Sequence, residues 1–219
     1  PTVGEFATLI RTGVDHRHTG IEAAFEYKPV PSWVFSGAAN LGYYRYTSRP
    51  LMYFTADNTG AVVFDSITAY QDNFLVPRTP QTAASFSVKY ESKRFWFASL
   101  TFNWTDDFWY TFDATRRRAE AVLTLEPGTE IWNTIVEQQK APSAYTLDFF
   151  GGKSWKFGKY FVNLNVGINN ILNNENIIVL GREAYLNAFG REFDNAKLYS
   201  SEVQFAPGLN YFISLALRM

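Results

Sequence analysis

Residues 160–172 read YFVNLNVGINNIL. Every second residue from Tyr160 to Ile168 is apolar, and the alternate positions from Phe161 to Asn169 hold a phenylalanine, a glycine and three asparagines. Successive side chains of a β-strand point to opposite faces of the sheet. The stretch therefore predicts a strand with one aliphatic face and one polar, uncharged face. The fold depends on what covers the aliphatic face.

The same period of two recurs in six further segments, each with one apolar face. The seven predicted strands are 18–28, 33–46, 80–91, 94–106, 144–157, 160–172 and 207–219. The segment 144–157 fits least well, because Lys153 shares a face with Tyr145 and Trp155. The long lysine stem could carry its ammonium group to an interface.

The connections between these segments are either very short or very long. Turns of a few residues follow 18–28, 80–91 and 144–157, whereas the other three connections contain roughly 35 residues each. Inside a compact soluble domain the median connection is only about 4–6 residues. Short turns at one rim and long loops at the other are typical of outer-membrane barrels.

Aromatic residues lie near both ends of the predicted strands. Trp96 and Trp104 are eight positions apart, which is about 27 Å along a strand and about 20 Å along the normal of a membrane if the strand is tilted. Outer-membrane barrels carry an apolar band of about 25 Å between two aromatic girdles. A soluble sandwich or jelly roll also alternates, but does not require rings at both ends. The sequence thus favours an all-β fold, a transmembrane antiparallel up-and-down β-barrel.

An odd number of strands cannot close such a barrel alone. With seven alternating strands, the first and the last run parallel, whereas bacterial single-chain barrels contain even numbers. We therefore expect the chain to supply about seven strands of a larger barrel, whose open edges need strands from further sequence or another chain. Residues 4–13 could supply an eighth strand, although we favour an extension of the first. An independent eight-stranded barrel is the alternative.

Composition excludes several functions. The net charge of -1 provides no basic excess for a nucleic-acid partner, and the absence of cysteine excludes thiolate metal sites. Asp15, His16 and His18 form the only cluster that could hold a metal, and no third close ligand is evident, so we predict no metal. The carboxylates show no catalytic spacing and no nucleophile elbow occurs. The sequence predicts no catalytic residue, no cofactor and no enzymatic activity.

Two of the long loops carry aromatic and arginine side chains suited to ligand contact. Rings stack on sugars or cover apolar ligands, and arginines bind carboxylates. The candidate substrate contacts are Trp109, Tyr110, Arg116, Arg117, Arg118 and Trp132 in one loop and Tyr53, Phe54 and Tyr70 in another. These side chains could equally pack against each other or against a surface lipoprotein.

Several motifs resemble those of one family, both in their residues and in their order along the chain. They are GVDHRHTGIEAAFEYKP at 13–29, YRYTSRP at 44–50, VPRTPQTAASFSVKY at 76–90, FWFASLTFNWTDD at 95–107 and GINNILNN at 167–174. With the terminal strand after APGLNY, they resemble the C-terminal part of TonB-dependent outer-membrane transporters. One departure is Met219, where that family usually ends in an aromatic residue.

The resemblance implies a bacterial outer-membrane protein with a barrel of about 22 strands that is plugged by an N-terminal domain. The whole of 1–219 would be the C-terminal portion of the barrel, and no plug domain is recognisable in it. The implied partners are outer-membrane lipid, the remaining barrel strands, the plug, the TonB complex acting through the plug, and a surface lipoprotein. The chain begins at Pro1, so we expect a mature product or part of a longer protein.

The sequence is compatible with three functions. The first is import of a scarce nutrient, with substrate captured by the long loops. The second is a self-contained small barrel that acts as an anchor or adhesin, and the third is a barrel enzyme. Siderophores, cobalamin, oligosaccharides and peptides are all compatible substrates of an importer.

Overall fold

The computed structural model describes residues 7–57, 59–118, 122–183 and 201–218. These residues form twelve strands, one 3₁₀ helix at Ala114–Arg117 and one α-helix, α1, at Glu130–Val136. The strands are β1 Ala7–Thr12, β2 His16–Val30, β3 Trp33–Tyr46, β4 Leu51–Ala56, β5 Val62–Thr68, β6 Thr82–Ser92, β7 Trp96–Asp106, β8 Ala144–Phe157, β9 Tyr160–Asn169, β10 Ile178–Arg182, β11 Glu202–Phe205 and β12 Asn210–Arg218. A membrane-spanning helix is not found in these ranges.

Seven strands form one antiparallel sheet, called the main sheet below. Its order is β12-β9-β8-β7-β6-β3-β2, so that each of these strands pairs with the next one of the set along the chain. The prediction of an all-β, antiparallel fold is confirmed, and each predicted segment corresponds to one strand. The sheet is open: in the described part of the chain, β2 pairs only with β3, and β12 pairs only with β9.

The apolar face of the main sheet is left uncovered by the described chain. In β12, alternate residues from Tyr211 to Leu217 are between 64% and 72% exposed. Ile21 and Leu41, which are paired between β2 and β3, are 74% and 62% exposed. A sandwich would bury this face against a second sheet. The aliphatic row of the main sheet therefore meets whatever surrounds the protein.

The opposite face is polar and linked by side-chain hydrogen bonds. Asn103 Nδ2 donates to Thr146 Oγ1 at 3.1 Å and to Asp148 Oδ2 at 2.9 Å, and Ser85 Oγ donates to Asn103 Oδ1 at 2.8 Å. In β9, Asn163 Oδ1 accepts from the hydroxyl of Ser154 on β8 at 2.6 Å. Asparagine and small hydroxyl residues thus satisfy each other across neighbouring strands, with the half-buried carboxylate of Asp148 as a further acceptor.

Aromatic residues lie against each other at the short-turn rim. The rings of Trp33 and Tyr90 are 4.9 Å apart, and those of Tyr90 and Trp96 are 5.1 Å apart. Lys153 Nζ reaches this rim and donates to the carbonyl oxygen of Arg94 at 3.1 Å. The lysine on the apolar face therefore ends among backbone acceptors of a turn.

A cluster of three phenylalanines lies on the polar face. The rings of Phe97 and Phe150 are 5.3 Å apart, and those of Phe150 and Phe212 are 6.1 Å apart. Phe212 is paired directly with Gly167, and a Cβ at Gly167 would overlap the Phe212 ring. Phe97 is paired with Gly152 in the same way. A ring lying over a cross-strand glycine covers backbone that would otherwise be exposed.

The segment near the N-terminus adds no strand to the main sheet. After Gly13, whose φ is +70°, the chain enters β2, whereas β1 before it pairs with β4 through Thr12 and Leu51. The pairing of β1 with β4 continues that of β2 with β3, in which His16 pairs with Tyr46. Residues 7–12 therefore prolong the first hairpin beyond the main sheet, while residues 4–6 lie outside the described ranges.

The NNILNN segment forms the turn that ends β9. Asn170 and Asn173 adopt φ values of 54° and 48°, a left-handed conformation that asparagine tolerates. Asn170 N donates to Asp148 Oδ1 at 2.8 Å, and Leu209 N donates to Asn173 Oδ1 at 2.8 Å. These asparagines connect the end of β9 to β8 and to the residues that precede β12.

Candidate functional site

The three long connections pack together into what we call the loop cluster, defined as residues 47–81, 107–143 and 170–209 as far as they are described. Tyr70 N of the first loop donates to Arg117 O of the second at 2.8 Å. Thr111 N of the second donates to Gly181 O of the third at 2.8 Å, and Glu183 N returns a bond to Thr111 O at 2.9 Å. Backbone hydrogen bonds therefore join all three loops.

The loop cluster has an apolar core of its own, which contrasts with the uncovered face of the main sheet. Its buried members are Met52, Ile67, Ala69, Phe112 and Ala114. The Phe112 ring meets Tyr46 and Phe74 edge to face, at 5.5 and 5.2 Å between centroids. The core draws on the first and second loops and on the end of β3, so it fixes these loops relative to the main sheet.

Arg117 is the polar centre of the loop cluster. Its guanidinium binds Glu183 in a bidentate pair, with Nη1 at 2.6 Å from Oε2 and Nη2 at 3.0 Å from Oε1. The other donors reach the carbonyl oxygens of Val136 at 3.0 Å, Asp113 at 3.1 Å and Glu137 at 2.6 Å. An arginine has five N–H donors, and each of them has an acceptor here. Both ionic side chains are 0% exposed.

The rest of the arginine triplet also points away from bulk solvent. Arg116 is 1% exposed, and its Nη1 lies 3.8 Å from Glu183 Oε2. Burial lowers the pKa of Arg116, as does the nearby charge of Arg117, while Glu183 opposes both effects. Arg118 is half-buried and forms a strand-like bridge with Ala69. The triplet is thus part of the loop cluster's interior framework.

Trp109, Tyr110 and Trp132 are all half-buried. The indole Nε1 of Trp109 has no hydrogen-bond partner among the described residues although it is buried. Tyr110 lies against Gly181, where an added Cβ would overlap its ring, and burial raises the pKa of the Tyr110 hydroxyl. Trp132 lies in the first turn of α1, whose N-cap Thr129 accepts from Trp132 N at 3.3 Å. These rings each keep part of their surface accessible.

Two candidates of the first loop, Tyr53 and Phe54, lie on opposite faces of β4, and the third, Tyr70, follows β5. Phe54 of β4 is 6% exposed and points to the same side as Met52, whereas Tyr53 points to the other side and is half-exposed. Tyr70 is 38% exposed, and the guanidinium carbon of Arg49 lies 5.4 Å from its ring centroid. The Arg49–Tyr70 pair presents a cation and a ring at the surface, and the pattern of the sequence did not select Arg49.

An ion pair and a short ladder close the base of the second loop. Lys140 Nζ lies 3.1 Å from Asp106 Oδ1 and 2.5 Å from Asp107 Oδ1. Ala141 N donates to Phe108 O at 2.8 Å, which holds both ends of the loop together. The hydrogen bond to Asp107 raises the pKa of Lys140, partial burial opposes this rise, and Asp106 adds to it.

The described ranges contain no group of three or more histidine, aspartate or glutamate side chains close enough to hold a metal ion. The rings of His16 and His18 are 4.9 Å apart, and His18 stacks on Tyr44 at 4.6 Å. Glu183 is the residue that the sequence analysis missed. Its partner is 66 positions away, so no local signal marks it.

Comparisons with known proteins do not identify the chain. No family model matches it, and no curated protein is detectably similar to it. The resemblance to TonB-dependent transporters therefore rests on the motifs alone and stays a prediction.

Proposed function

We propose that the chain forms part of the wall of a bacterial outer-membrane β-barrel importer of the TonB-dependent kind. The observation that carries the proposal is the asymmetry of the main sheet. One face presents exposed apolar side chains on all seven strands, and the other is polar with its side chains hydrogen-bonded to each other. Lipid would cover the first face, and a lumen would hydrate the second.

The cost of leaving the apolar face in water supports this placement. Each Å² of apolar surface removed from water contributes about 25 cal/mol. Monomeric soluble proteins rarely leave contiguous apolar patches larger than a few hundred Å² uncovered. Exposed aliphatic residues, such as Ile213 and Leu215 on the edge strand β12, form rows on several neighbouring strands. They therefore make a contiguous apolar patch and are not scattered single residues.

The open edges support a larger barrel over the self-contained anchor or adhesin. β2 offers a 15-residue edge and β12 a 9-residue edge. Unpaired backbone groups cannot face hydrocarbon without a large penalty. In this proposal, further strands cover both edges, a plug domain fills the lumen, and the TonB complex acts through the plug.

The loop cluster would capture the nutrient at the cell surface. Its buried core and the Arg117–Glu183 pair give it a fixed shape, and rigid positioning lowers the entropic cost of binding. Among the proposed contacts, the rings with accessible surface are those of Trp109, Tyr110, Trp132, Tyr53 and Tyr70. Phe54, Arg116 and Arg117 would contribute by holding these groups in place, with Arg118 bridging two of the loops.

The first experiment tests placement in the membrane. The full-length protein is transferred from detergent into buffer, and in parallel into lipid vesicles, and its state is followed by sedimentation and circular dichroism. We expect folded protein only with the amphiphile. A compact, soluble and folded particle in plain buffer would overturn the proposal.

The second experiment tests nutrient capture in cells that depend on the protein. The variant Tyr53→Ala/Tyr70→Ala/Trp132→Ala removes accessible rings and leaves the buried core intact. We expect reduced uptake with unchanged surface expression. A control variant, Leu123→Ala, alters another exposed loop residue, which is 81% exposed. Unchanged uptake by the triple variant would remove the ligand role from these rings.

A further inference from the structure

Two arginines face each other directly on the apolar side of the main sheet. Arg17 of β2 is paired with Arg45 of β3, and the register of the two strands is unbroken from His16 to Tyr27. Arg17 has the same parity as Ile21, and Arg45 has the same parity as Leu41, which is the residue paired with Ile21. Both guanidinium groups therefore extend from the apolar face and not from the polar face.

This arrangement brings together like charges without a neutralising partner. Directly opposed residues of an antiparallel pair have Cβ atoms only about 4.5–5.5 Å apart, and like charges there are destabilising. Within the described ranges, neither arginine forms an ion pair, although Asp15 lies two positions from Arg17. The polar contact of Arg45 is a hydrogen bond to the neutral amide oxygen of Asn73. A bound anion would remove the repulsion.

The arginine pair lies just beyond the aromatic residue at the long-loop rim. Arg45 is two positions past Tyr43, or about 7 Å further along the strand. Its guanidinium carbon lies 5.5 Å from the centroid of the Tyr43 ring, which is 51% exposed. In a barrel with an aromatic girdle at this rim, the next residues outward meet the headgroups of the lipid.

We propose that Arg17 and Arg45 together bind the phosphate group of an anionic lipid in the leaflet at the long-loop rim. Guanidinium groups match phosphate oxygens in bidentate geometry, and two of them on adjacent strands can grip one phosphate from both sides. Asn73 and Tyr43 hold Arg45 in place before the lipid arrives. The inference rests on the proposed placement of the apolar face in a membrane.

The test uses the full-length protein in non-ionic detergent, titrated with short-chain phosphatidic acid while thermal unfolding is followed. Arg17→Gln and Arg45→Gln are compared with the wild type and with Arg94→Gln, which removes an exposed arginine from a turn at the opposite rim. We expect each substitution in the pair to weaken the phosphatidic acid affinity about tenfold. The Arg94 variant should match the wild type.

The unfolding temperature of the same variants is a second readout, and its change should reverse sign when phosphatidic acid is added. Without anionic lipid and at low salt, Arg17→Gln should raise the unfolding temperature slightly, because it removes the repulsion. With phosphatidic acid it should lower that temperature relative to the wild type. Unchanged phosphatidic acid affinity in the double variant Arg17→Gln/Arg45→Gln, or no reversal of the sign of the Arg17→Gln effect, would overturn the assignment.

Two further measurements distinguish a lipid phosphate from a free phosphate and separate the arginine site from the membrane placement. Inorganic phosphate at matched concentration should stabilise the wild type much less than phosphatidic acid does; an equal effect would assign the pair to a free anion and overturn the lipid assignment. Insertion into phosphatidylcholine vesicles with and without phosphatidic acid is measured in parallel. A wild-type protein that enters neither vesicle contradicts the membrane placement itself, whereas insertion with no preference between lipids contradicts only the arginine site.

Discussion

The main sheet and the loop cluster reach an ordered structure in different ways. The sheet is held by long antiparallel ladders and polar side-chain bonds on one face, while its apolar face stays uncovered. The loop cluster buries Met52 and Phe112 completely or nearly so and closes on the Arg117–Glu183 pair. The sheet therefore depends on its surroundings for burial, and the loops depend on contacts that the chain makes with itself.

This difference separates the effects that substitutions should have. A change in the loop cluster should alter stability equally in detergent and in lipid, because its core is protein. A change on the apolar face should have an effect that depends on what surrounds the sheet. The following predictions test this distinction, starting with the largest effect.

Arg117→Met should destabilise the loop cluster by about 3–5 kcal/mol, because the buried Glu183 would lose its bidentate partner and keep only the longer contact with Arg116. The main sheet should persist, since it shares no ionic contact with Arg117. Hydrogen exchange of the Tyr70 and Thr111 amides, which bond across the loops, measures the loss. The double variant Arg117→Met/Glu183→Met should be more stable than Arg117→Met, and equal stability would contradict a coupled buried pair.

Leu100→Arg should cost about 2–4 kcal/mol when the protein folds into a bilayer, because Leu100 lies midway between Trp96 and Trp104 on the apolar face. The side chain is 47% exposed, so water around this face would make the change nearly neutral. Denaturant titration in vesicles gives the free energy. Thr101→Arg on the polar face is the matched control, and an equal cost for both would contradict lipid contact.

Gly167→Ala should cost about 1 kcal/mol, since the new Cβ would displace the Phe212 ring that lies over it. Phe212→Ala alone should cost a similar amount through the lost aromatic packing. In the double variant the clash disappears, so its loss should be smaller than the sum of the single losses. Denaturant titrations of all three variants test this, and strict additivity would contradict the contact.

Lys140 should make the closure of the second loop sensitive to high pH. Its pKa is raised in the folded state, so its stabilising effect is complete below about 10.5 and is lost as the pH rises through the folded-state pKa. The lysine is 39% exposed, and such surface pairs contribute roughly 0.2–1 kcal/mol. Thermal unfolding from pH 9 upward should show this decline in the wild type, and Lys140→Gln should flatten it.

The main sheet was predictable because its signal is local. The alternation in 160–172 predicted which residues lie on each face of β9. The lengths of the connections predicted which of them are short turns and which are long loops. Each prediction needed only residues adjacent in sequence, and the ladders then followed from sequential pairing.

The loop cluster was less predictable because its contacts are distant in sequence. The ring and arginine content of 107–143 selected this loop as a candidate for ligand contact, which stays a prediction, and it could not tell that Arg117 is buried. That outcome depends on Glu183 and on the backbone of α1, which come together only in three dimensions. The small strand β4 was missed for a similar reason, since its partner β1 lies 39 or more positions earlier in the chain, and β5 is joined to this sheet only through β4.

The parity of the main sheet constrains any complete assembly. Because seven strands alternate in direction, the two edge strands β2 and β12 point the same way. A ring in which every neighbour is antiparallel has an even total, so the complement must contribute an odd number of strands. A single added strand satisfies this rule as well as fifteen do. A second copy of this sheet in the same orientation would add seven strands, but it would place β12 beside the partner's β2 with both strands pointing the same way. Both seams of such a pair would be parallel, so a ring that is antiparallel throughout needs a complement of a different kind.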